Sequence, residues 1–101
     1  MIYSDFDLKQ RRKGEIIQVT LTGGANVLLM DETNLSLYKS GKKHRYYGGL
    51  ATRSPYNLAI PEAGNWHVII NLKGLGNNTA ATVKALSDSK PIIGKICELA
   101  E

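Results

Sequence analysis

The chain has 101 residues, of which 43% are hydrophobic, 22% charged and 7% aromatic, and its formal net charge is +4. This length fits one domain, and the balanced composition excludes the disordered, collagen-like and coiled-coil classes. The apolar runs are far shorter than the roughly 20 residues of a transmembrane helix, and the N-terminus has no signal-peptide pattern. A single cysteine, Cys97, excludes an internal disulfide framework. We therefore expect a cytoplasmic protein that has no membrane partner.

The first third of the chain shows the two-residue alternation of β-strands. Residues 2–8 and 15–22 alternate apolar and polar side chains, and β-branched residues dominate the second run. The run 25–31 is nearly continuous in apolar residues, which is typical of a short strand that is buried on both faces. Three strands are therefore predicted before residue 32.

The middle of the chain is polar and less regular. The Asp-Glu-Thr-Asn sequence at 31–34 predicts a turn, and residues 35–38 follow as a weak strand. A lysine-rich loop then leads to a short strand over 44–47. This strand is predicted to end before Gly48–Gly49.

The C-terminal half has the clearest alternation. Residues 56–60 and 65–72 both alternate, and the turn between them contains proline and glycine, so the two runs predict a hairpin. Trp66 falls on the inward face of the second run. His67 falls on the opposite face and is predicted at the surface. A final core strand is predicted over 79–86.

About seven or eight short strands joined by glycine-rich turns predict an all-β fold. We expect an antiparallel β-sandwich that is jelly-roll-like, with a small, partly open β-barrel as the alternative. The sandwich domain is predicted over residues 1–86 and a C-terminal tail, docked or flexible, over 87–101. Residues 92–99 of this tail predict either an extra strand or a helical turn. The predicted core consists of Ile17, Val19, Leu21, Val27, Leu29, Leu58, Ile60, Trp66, Val68 and Ile70.

Basic residues concentrate in two segments. One contains Lys9, Arg11, Arg12 and Lys13, and the other, residues 39–53, contains further cations and no acidic residue. If the two segments adjoin in the fold, they form a positive face that attracts polyanions or phosphate groups. The alternative is that both are solvated loops whose charges keep the protein soluble.

Residues 38–56 interleave cations with tyrosines, hydroxyl groups and glycines. Cations and backbone N–H groups bind phosphate, and tyrosine rings stack on a base or a sugar. We predict that this segment binds an anionic small molecule or polyanion through Lys42, Lys43, His44, Arg45, Tyr46, Tyr47 and Arg53. The alternative is a structural role, in which the tyrosines pack over the mouth of the sandwich and the cations protect a sheet edge from aggregation.

Catalysis and metal binding have little support in the sequence. His44, His67 and Cys97 are the candidate soft metal ligands, and they form no closely spaced pair. We expect no catalytic residue, no cofactor and no metal ion. The leading hypothesis is a non-enzymatic binding module. The alternative is a protein-interaction module that uses an exposed strand edge or the apolar residues 92–99.

Several motifs carry a resemblance to a known family. They are Val19-Thr-Leu-Thr-Gly23, Val27-Leu-Leu-Met-Asp31, His44-Arg-Tyr-Tyr-Gly-Gly49 and Gly64-Asn-Trp-His-Val68. With these motifs, residues 3–86 resemble a bacterial family catalogued as domain of unknown function 1883. The resemblance implies a small β domain that occurs alone or joined to TIR-type signalling domains, and by analogy a recognition or regulatory module whose partner is a signalling protein. It implies no catalytic residues, because the family has no established activity.

Overall fold

The computed structural model describes residues 1–76 and 78–99. Asn77 and the last two residues of the predicted 87–101 tail lie outside the described residues. The elements follow along the chain as β1 (Ile2–Arg11), β2 (Ile16–Leu21), β3 (Ala25–Asp31), α1 (Glu32–Lys39), β4 (Tyr47–Ala51), β5 (Tyr56–Ala59), β6 (Gly64–Asn71), β7 (Ala81–Ala85) and β8 (Gly94–Glu98).

Two antiparallel sheets face each other. The larger sheet has the strand order β4-β3-β6-β1-β8, and the smaller sheet has the order β5-β2-β7. Among the described strands neither sheet closes into a barrel, so the predicted all-β sandwich is confirmed. Every connection between consecutive strands passes from one sheet to the other, except the connection from β3 to β4 through α1.

The main core lies between the sheets, where the alternation turns one side of each strand inward. Ile17 and Val19 of the smaller sheet meet Val27, Leu29 and Val68 of the larger sheet in one fully buried cluster. Every residue of the predicted core is buried in this cluster except Leu58, which is half-buried and packs against it. The burial of these apolar side chains stabilises the association of the two sheets.

The predicted turn at 31–34 and the weak strand at 35–38 are wrong, because residues 32–39 form the helix α1. The Asp31 side chain accepts a hydrogen bond from the Asn34 backbone N–H at 2.9 Å, which is the arrangement of a helix N-cap. The same Asp-Glu-Thr-Asn sequence is thus compatible with a turn and with the first turn of a helix. In the part of the chain that the structure describes, no helix has the length and apolar character needed to cross a membrane.

Helix α1 covers the outer face of the larger sheet. Leu35 and Tyr38 are one turn apart, so both point to the same side of the helix, where they are buried. There they form a second cluster whose members from the sheet are Tyr3, Leu28, Met30 and Ile69. Strand β6 is therefore buried on both faces, against the smaller sheet on one side and against α1 on the other.

The predicted strand over 44–47 is also displaced, since β4 begins only at Tyr47 and includes the Gly48–Gly49 pair, before which the strand was predicted to end. Both glycines have positive φ, at 107° and 142°. A Cβ atom on Gly48 would clash with the carbonyl oxygen of Val27 on β3. The glycines therefore allow β4 to approach β3 closely, rather than reversing the chain.

The hairpin predicted over 56–72 is wrong in its pairing, although both of its strands are present. Strand β5 pairs with β2 in the smaller sheet, whereas β6 pairs with β1 and β3 in the larger sheet. The chain crosses between the sheets after Ile60, which exchanges 2.8 Å backbone hydrogen bonds with Gly14 and Glu15. A turn motif predicts a reversal of the chain, but it does not determine the strand with which each arm pairs.

The tail contains a strand, one of the two conformations that the sequence left open. Strand β8 pairs with β1, with Tyr3 opposite Cys97. Before β8, the Ile92 backbone N–H donates to the Val83 carbonyl at 2.7 Å and so links the tail to the smaller sheet. The tail therefore contacts both sheets.

We predict that Trp66→Ala lowers the free energy of unfolding by about 3–5 kcal/mol. Trp66 is only 6% exposed, and its indole N–H donates to the Glu62 carbonyl at 2.8 Å, so truncation leaves a cavity and an unpaired acceptor. Denaturant unfolding followed by circular dichroism measures the change. Tyr46→Ala, at an exposed tyrosine, is the control and should change stability far less. Equal midpoints for Trp66→Ala and the parent would contradict the placement of Trp66.

We predict that Gly94→Ala weakens the docking of β8 by about 1–3 kcal/mol. A Cβ atom at this position would lie 2.6 Å from ring carbon Cε2 of Phe6, whose ring is held in the core. Denaturant unfolding and hydrogen exchange of the β8 amides both measure the effect. Gly24→Ala is the matched control, because the new Cβ atom would meet only the Ala51 carbonyl oxygen, at an ordinary 3.7 Å. If the two variants were equally stable, the Phe6 contact would be refuted.

Candidate functional site

The predicted binding segment runs along the outside of the sandwich between α1 and β4. Its first part is anchored by the Lys42 backbone N–H, which donates to the Leu37 carbonyl at 2.9 Å. Further along, the Arg45 backbone N–H donates to Asn34 Oδ1 at 2.7 Å. Residues 42–46 are thereby tied to both ends of the helix, and their side chains remain at the surface.

Alternate residues of this segment line two different clefts. His44 and Tyr46 line a cleft beside α1. Arg45 and Tyr47 line a second cleft, at the end of the sandwich where α1 begins. Since consecutive side chains of an extended segment point in opposite directions, the sequence predicted as one surface contributes to two separate sites.

The cleft beside α1, here called the helix-side cleft, has a volume of about 380 Å³. It lies on the outer face of the larger sheet. Its lining consists of Asn26, Leu28, His44, Tyr46, Gly49, Leu50, Asn71 and Lys73. No carboxylate is present among these described residues, and Lys73 supplies an ammonium group. Lys73 was not among the predicted site residues, because it lies far along the chain from the other cations and reaches this site only through the pairing of β6 with β3.

A network of amide groups forms the floor of the helix-side cleft. Asn26 Nδ2 donates to Asn71 Oδ1 at 2.9 Å and to the Lys73 carbonyl at 3.0 Å. Asn71 Nδ2 in turn donates to the Tyr38 hydroxyl at 3.1 Å, and the Lys73 backbone N–H donates to Asn71 Oδ1 at 3.2 Å. Burial raises the pKa of Tyr38, so its hydroxyl is neutral at neutral pH. The network holds the backbone of Lys73 in place while its side chain is exposed.

Aromatic rings form the wall of the helix-side cleft. The His44 ring packs edge-on against Tyr38, with 5.1 Å between centroids, and lies 5.9 Å from the Tyr46 ring at a tilt of 39°. Tyr38 packs edge-on against Tyr3 at 5.4 Å, which connects this row of rings to β1. The row holds the segment against the helix and leaves Tyr46 48% exposed.

The larger cleft, here called the end cleft, has a volume of about 540 Å³. Tyr47 and Trp66 meet there with ring centroids 6.1 Å apart. Three carboxylates, Asp31, Glu32 and Glu62, line it together with Arg45. Because acidic groups outnumber the arginine, the end cleft is electrostatically unsuited to an anionic ligand, despite its size.

The remaining predicted residues are dispersed. Lys42 and Lys43 are exposed after α1 and line neither cleft. Arg53 follows β4 at the opposite end from Arg45, and a strand of this length separates its two ends by about 13 Å. Within the described residues no ion pair is formed by Lys42, Lys43, Arg45 or Arg53. The cations are therefore free to bind an anion, but the structure does not bring Arg53 together with Arg45.

The N-terminal basic segment begins on β1, three strand positions away from β4 in the larger sheet. Strands β6 and β3 separate β1 from β4, which corresponds to about 14 Å, so the two basic segments do not adjoin. Lys9 pairs with Asp7 at 3.3 Å, and Arg11 pairs with Glu15 at 3.4 Å. The Arg12 backbone N–H and the Arg11 guanidinium hold the pKa of Glu15 below its ordinary value. Half of this segment is thus engaged in local ion pairs.

His67 was predicted at the surface, and that prediction is wrong. It is only 7% exposed, because α1 covers the face of β6 that the alternation left for solvent. Its Nδ1 lies 2.7 Å from Asp5 Oδ1, and its Nε2 lies 3.3 Å from Glu32 Oε1. In residues 1–76 and 78–99, no group of three histidine, cysteine, aspartate or glutamate side chains is arranged to hold a metal ion.

Comparison with known proteins identifies a family for most of the chain. A family model described as Domain of unknown function (DUF1883) matches residues 1–89. The matched part includes α1, the strands from β1 to β7 and the residues that line both clefts, whereas β8 lies beyond it. No curated protein and no solved structure matches the chain.

Proposed function

The chain belongs to the DUF1883 family, and we propose that this member is a non-enzymatic binding module that recognises an anionic ligand in the helix-side cleft. The observation that carries the proposal is the lining of this cleft, in which Lys73 and His44 are accompanied by no described carboxylate. A buried or half-enclosed anion needs such an environment, since nearby acidic groups would repel it. The end cleft, which is larger, lacks this property.

The surroundings of the helix-side cleft support the same proposal. Lys42 and Lys43 follow the C-terminal end of α1 and immediately precede His44 in the chain. Both are exposed. Long lysine side chains raise the positive potential over such a site even where they do not line it. The loop therefore adds attraction over a distance, while Lys73 offers a direct contact.

The shape of the cleft favours a small phosphorylated molecule with a planar ring. Its volume of about 380 Å³ lies within the range of small-molecule sites, roughly 300–1,000 Å³. The half-exposed ring of Tyr46 offers a stacking surface, and the Lys73 ammonium is a point charge suited to a phosphate group. We propose a nucleotide-like ligand, with Tyr46 and Lys73 contacting its two ends.

We predict that Lys73→Ala weakens binding of such a ligand at least tenfold, because one charge-assisted contact contributes about 1.5–3 kcal/mol. The parent is first tested by thermal shift against adenosine and guanosine nucleotides, pyrophosphate, heparin and single-stranded DNA. Affinities of the probes that raise the melting temperature are then measured by calorimetry. Arg45→Ala and Arg53→Ala are the controls, since both remove an exposed cation outside the helix-side cleft.

Three outcomes would contradict this proposal. The first is the absence of any thermal shift across the panel. The second is binding that survives Lys73→Ala and is lost in Arg45→Ala, which would transfer recognition to the end cleft. The third is a uniform loss across all three variants with a steep dependence on salt, which would indicate non-specific attraction of polyanions instead of a site.

As a second candidate function we propose self-association through the outer edge of β8. This strand pairs only with β1 among the described strands, so its other edge has unpaired backbone groups. Ile93 and Ile96 are 89% and 73% exposed beside that edge. Two copies related by a two-fold axis could pair these edges in antiparallel fashion and bring Ile96 of both copies together.

The second candidate predicts that the parent is a dimer by light scattering and that Ile96→Lys is a monomer. The introduced charges would repel each other across the two-fold axis, and they would remove apolar area from the contact. Leu50→Lys is the matched control, because Leu50 is an exposed apolar residue on β4, at the opposite edge of the same sheet. A monomeric parent at high concentration would refute self-association, and so would an equal loss of mass in both variants.

A further inference from the structure

His67 lies between two carboxylates that come from different elements. Its strand, β6, is at the centre of the larger sheet, and the imidazole faces outward beneath α1. Asp5 of β1 contacts Nδ1 at 2.7 Å, and Glu32 of α1 contacts Nε2 at 3.3 Å. The histidine thus links the first turn of the helix to the sheet.

Both of these contacts are hydrogen bonds in only one protonation state. A neutral imidazole has one N–H group, and its other nitrogen presents a lone pair. A carboxylate opposite that lone pair would be repelled and not bound. The imidazolium ion has two N–H groups, so it alone donates to Asp5 and Glu32 together.

We infer that protonated His67 links the beginning of α1 to the sheet through Glu32 and Asp5, and that this link keeps the binding segment ordered. We call the contact of these three residues the clasp. The clasp itself rests on the contacts of His67. Its effect on ligand binding rests in addition on the proposed function of the helix-side cleft. Histidine is the side chain whose charge ordinarily changes between about pH 5 and 8, which suits it to such a role.

The two contacts differ in how readily they open. The contact with Asp5 is the shorter one, and its two side chains are only 9% and 11% exposed. Glu32 is 64% exposed, so water can replace its contact with the imidazole. When His67 loses a proton, the remaining proton therefore stays on Nδ1 with Asp5, and the link from Nε2 to α1 is released.

The residues opposite the imidazole on the two neighbouring strands do not change their charge near neutral pH. Asp7 lies opposite His67 on β1, where burial opposes its ionisation. Hydrogen bonds from Lys9 outweigh that effect and hold the pKa of Asp7 below its ordinary value. On β3, the residue opposite His67 is Met30, which does not titrate. His67 is thus the residue of this cluster whose protonation state decides how many N–H groups face the carboxylates.

A short path connects the clasp to the binding segment. Glu32 and Asn34 belong to the same first turn of α1, and Asn34 Oδ1 accepts the hydrogen bond from the Arg45 backbone N–H. Arg45 stands between His44 and Tyr46, which both line the helix-side cleft. Release of Glu32 therefore loosens the helical turn that holds these two residues in position.

The clasp is tested in the full chain by the ¹⁵N chemical shifts of its two histidine rings as a function of pH. We expect an imidazolium at His67 at acidic pH and conversion to the neutral form with the proton on Nδ1 as the pH rises. Glu32→Gln should move the titration of His67 to lower pH by about half a unit or more, because it removes an anion that favours the imidazolium. His44, which contacts no carboxylate among the described residues, is the internal control and should not move.

A second measurement follows the segment itself. Hydrogen exchange of the Arg45 amide, corrected for the intrinsic rate at each pH, should lose protection as His67 deprotonates. In Glu32→Gln this dependence on pH should disappear. A His67 that stays neutral throughout pH 5–9, or an Arg45 amide whose protection ignores the titration, would overturn the clasp.

Binding of pyrophosphate at pH 6 and pH 8 separates this inference from the proposed function. If the clasp controls the cleft, the ratio of the affinity at pH 6 to the affinity at pH 8 is larger in the parent than in Glu32→Gln, by at least about threefold. Failure of pyrophosphate and of every nucleotide to bind at either pH would refute the proposed function and the control of binding, while the two preceding measurements would still decide the clasp. Equal ratios in the two proteins would refute the control of binding alone.

Discussion

From Trp66 to Asn71, strand β6 packs against the smaller sheet with one face and against helix α1 with the other, so this part has no solvent side. Two separate apolar clusters therefore share one strand, and a residue on either face must be apolar or fully hydrogen-bonded. His67 meets the second condition through Asp5 and Glu32. The position of α1, and with it the binding segment that follows, depends on this double burial.

The alternation of side chains predicted most strands, and every predicted core residue except Leu58 is buried in the main core, because burial between two sheets follows a period of two residues. The alternation could not predict which strands pair with each other, so the predicted pairing of the two strands within 56–72 was wrong. Helix α1 was missed because Asp31 suits a turn and a helix N-cap equally well. The error at His67 followed directly, since only a helix on the outer face explains its burial.

The candidate site shows the same division between local and tertiary information. The concentration of cations and tyrosines over residues 42–47 was visible in the sequence, and these residues do lie at the surface. Their division between two clefts follows from the extended backbone, whose consecutive side chains point in opposite directions. The contribution of Lys73 depends on the pairing of β6 with β3, which no local pattern reveals.

The pairing of β8 with β1 brings the first described residue and the last beside each other. The Met1 ammonium donates to the Leu99 carbonyl at 3.2 Å, and the Leu99 N–H donates to the Met1 carbonyl at 2.7 Å. A domain fused at either terminus would consequently emerge from the same corner of the molecule, at the edge of the sheet opposite β4. The geometry also suits circular permutation, in which a short linker joins the present ends and new ends are opened in a surface loop.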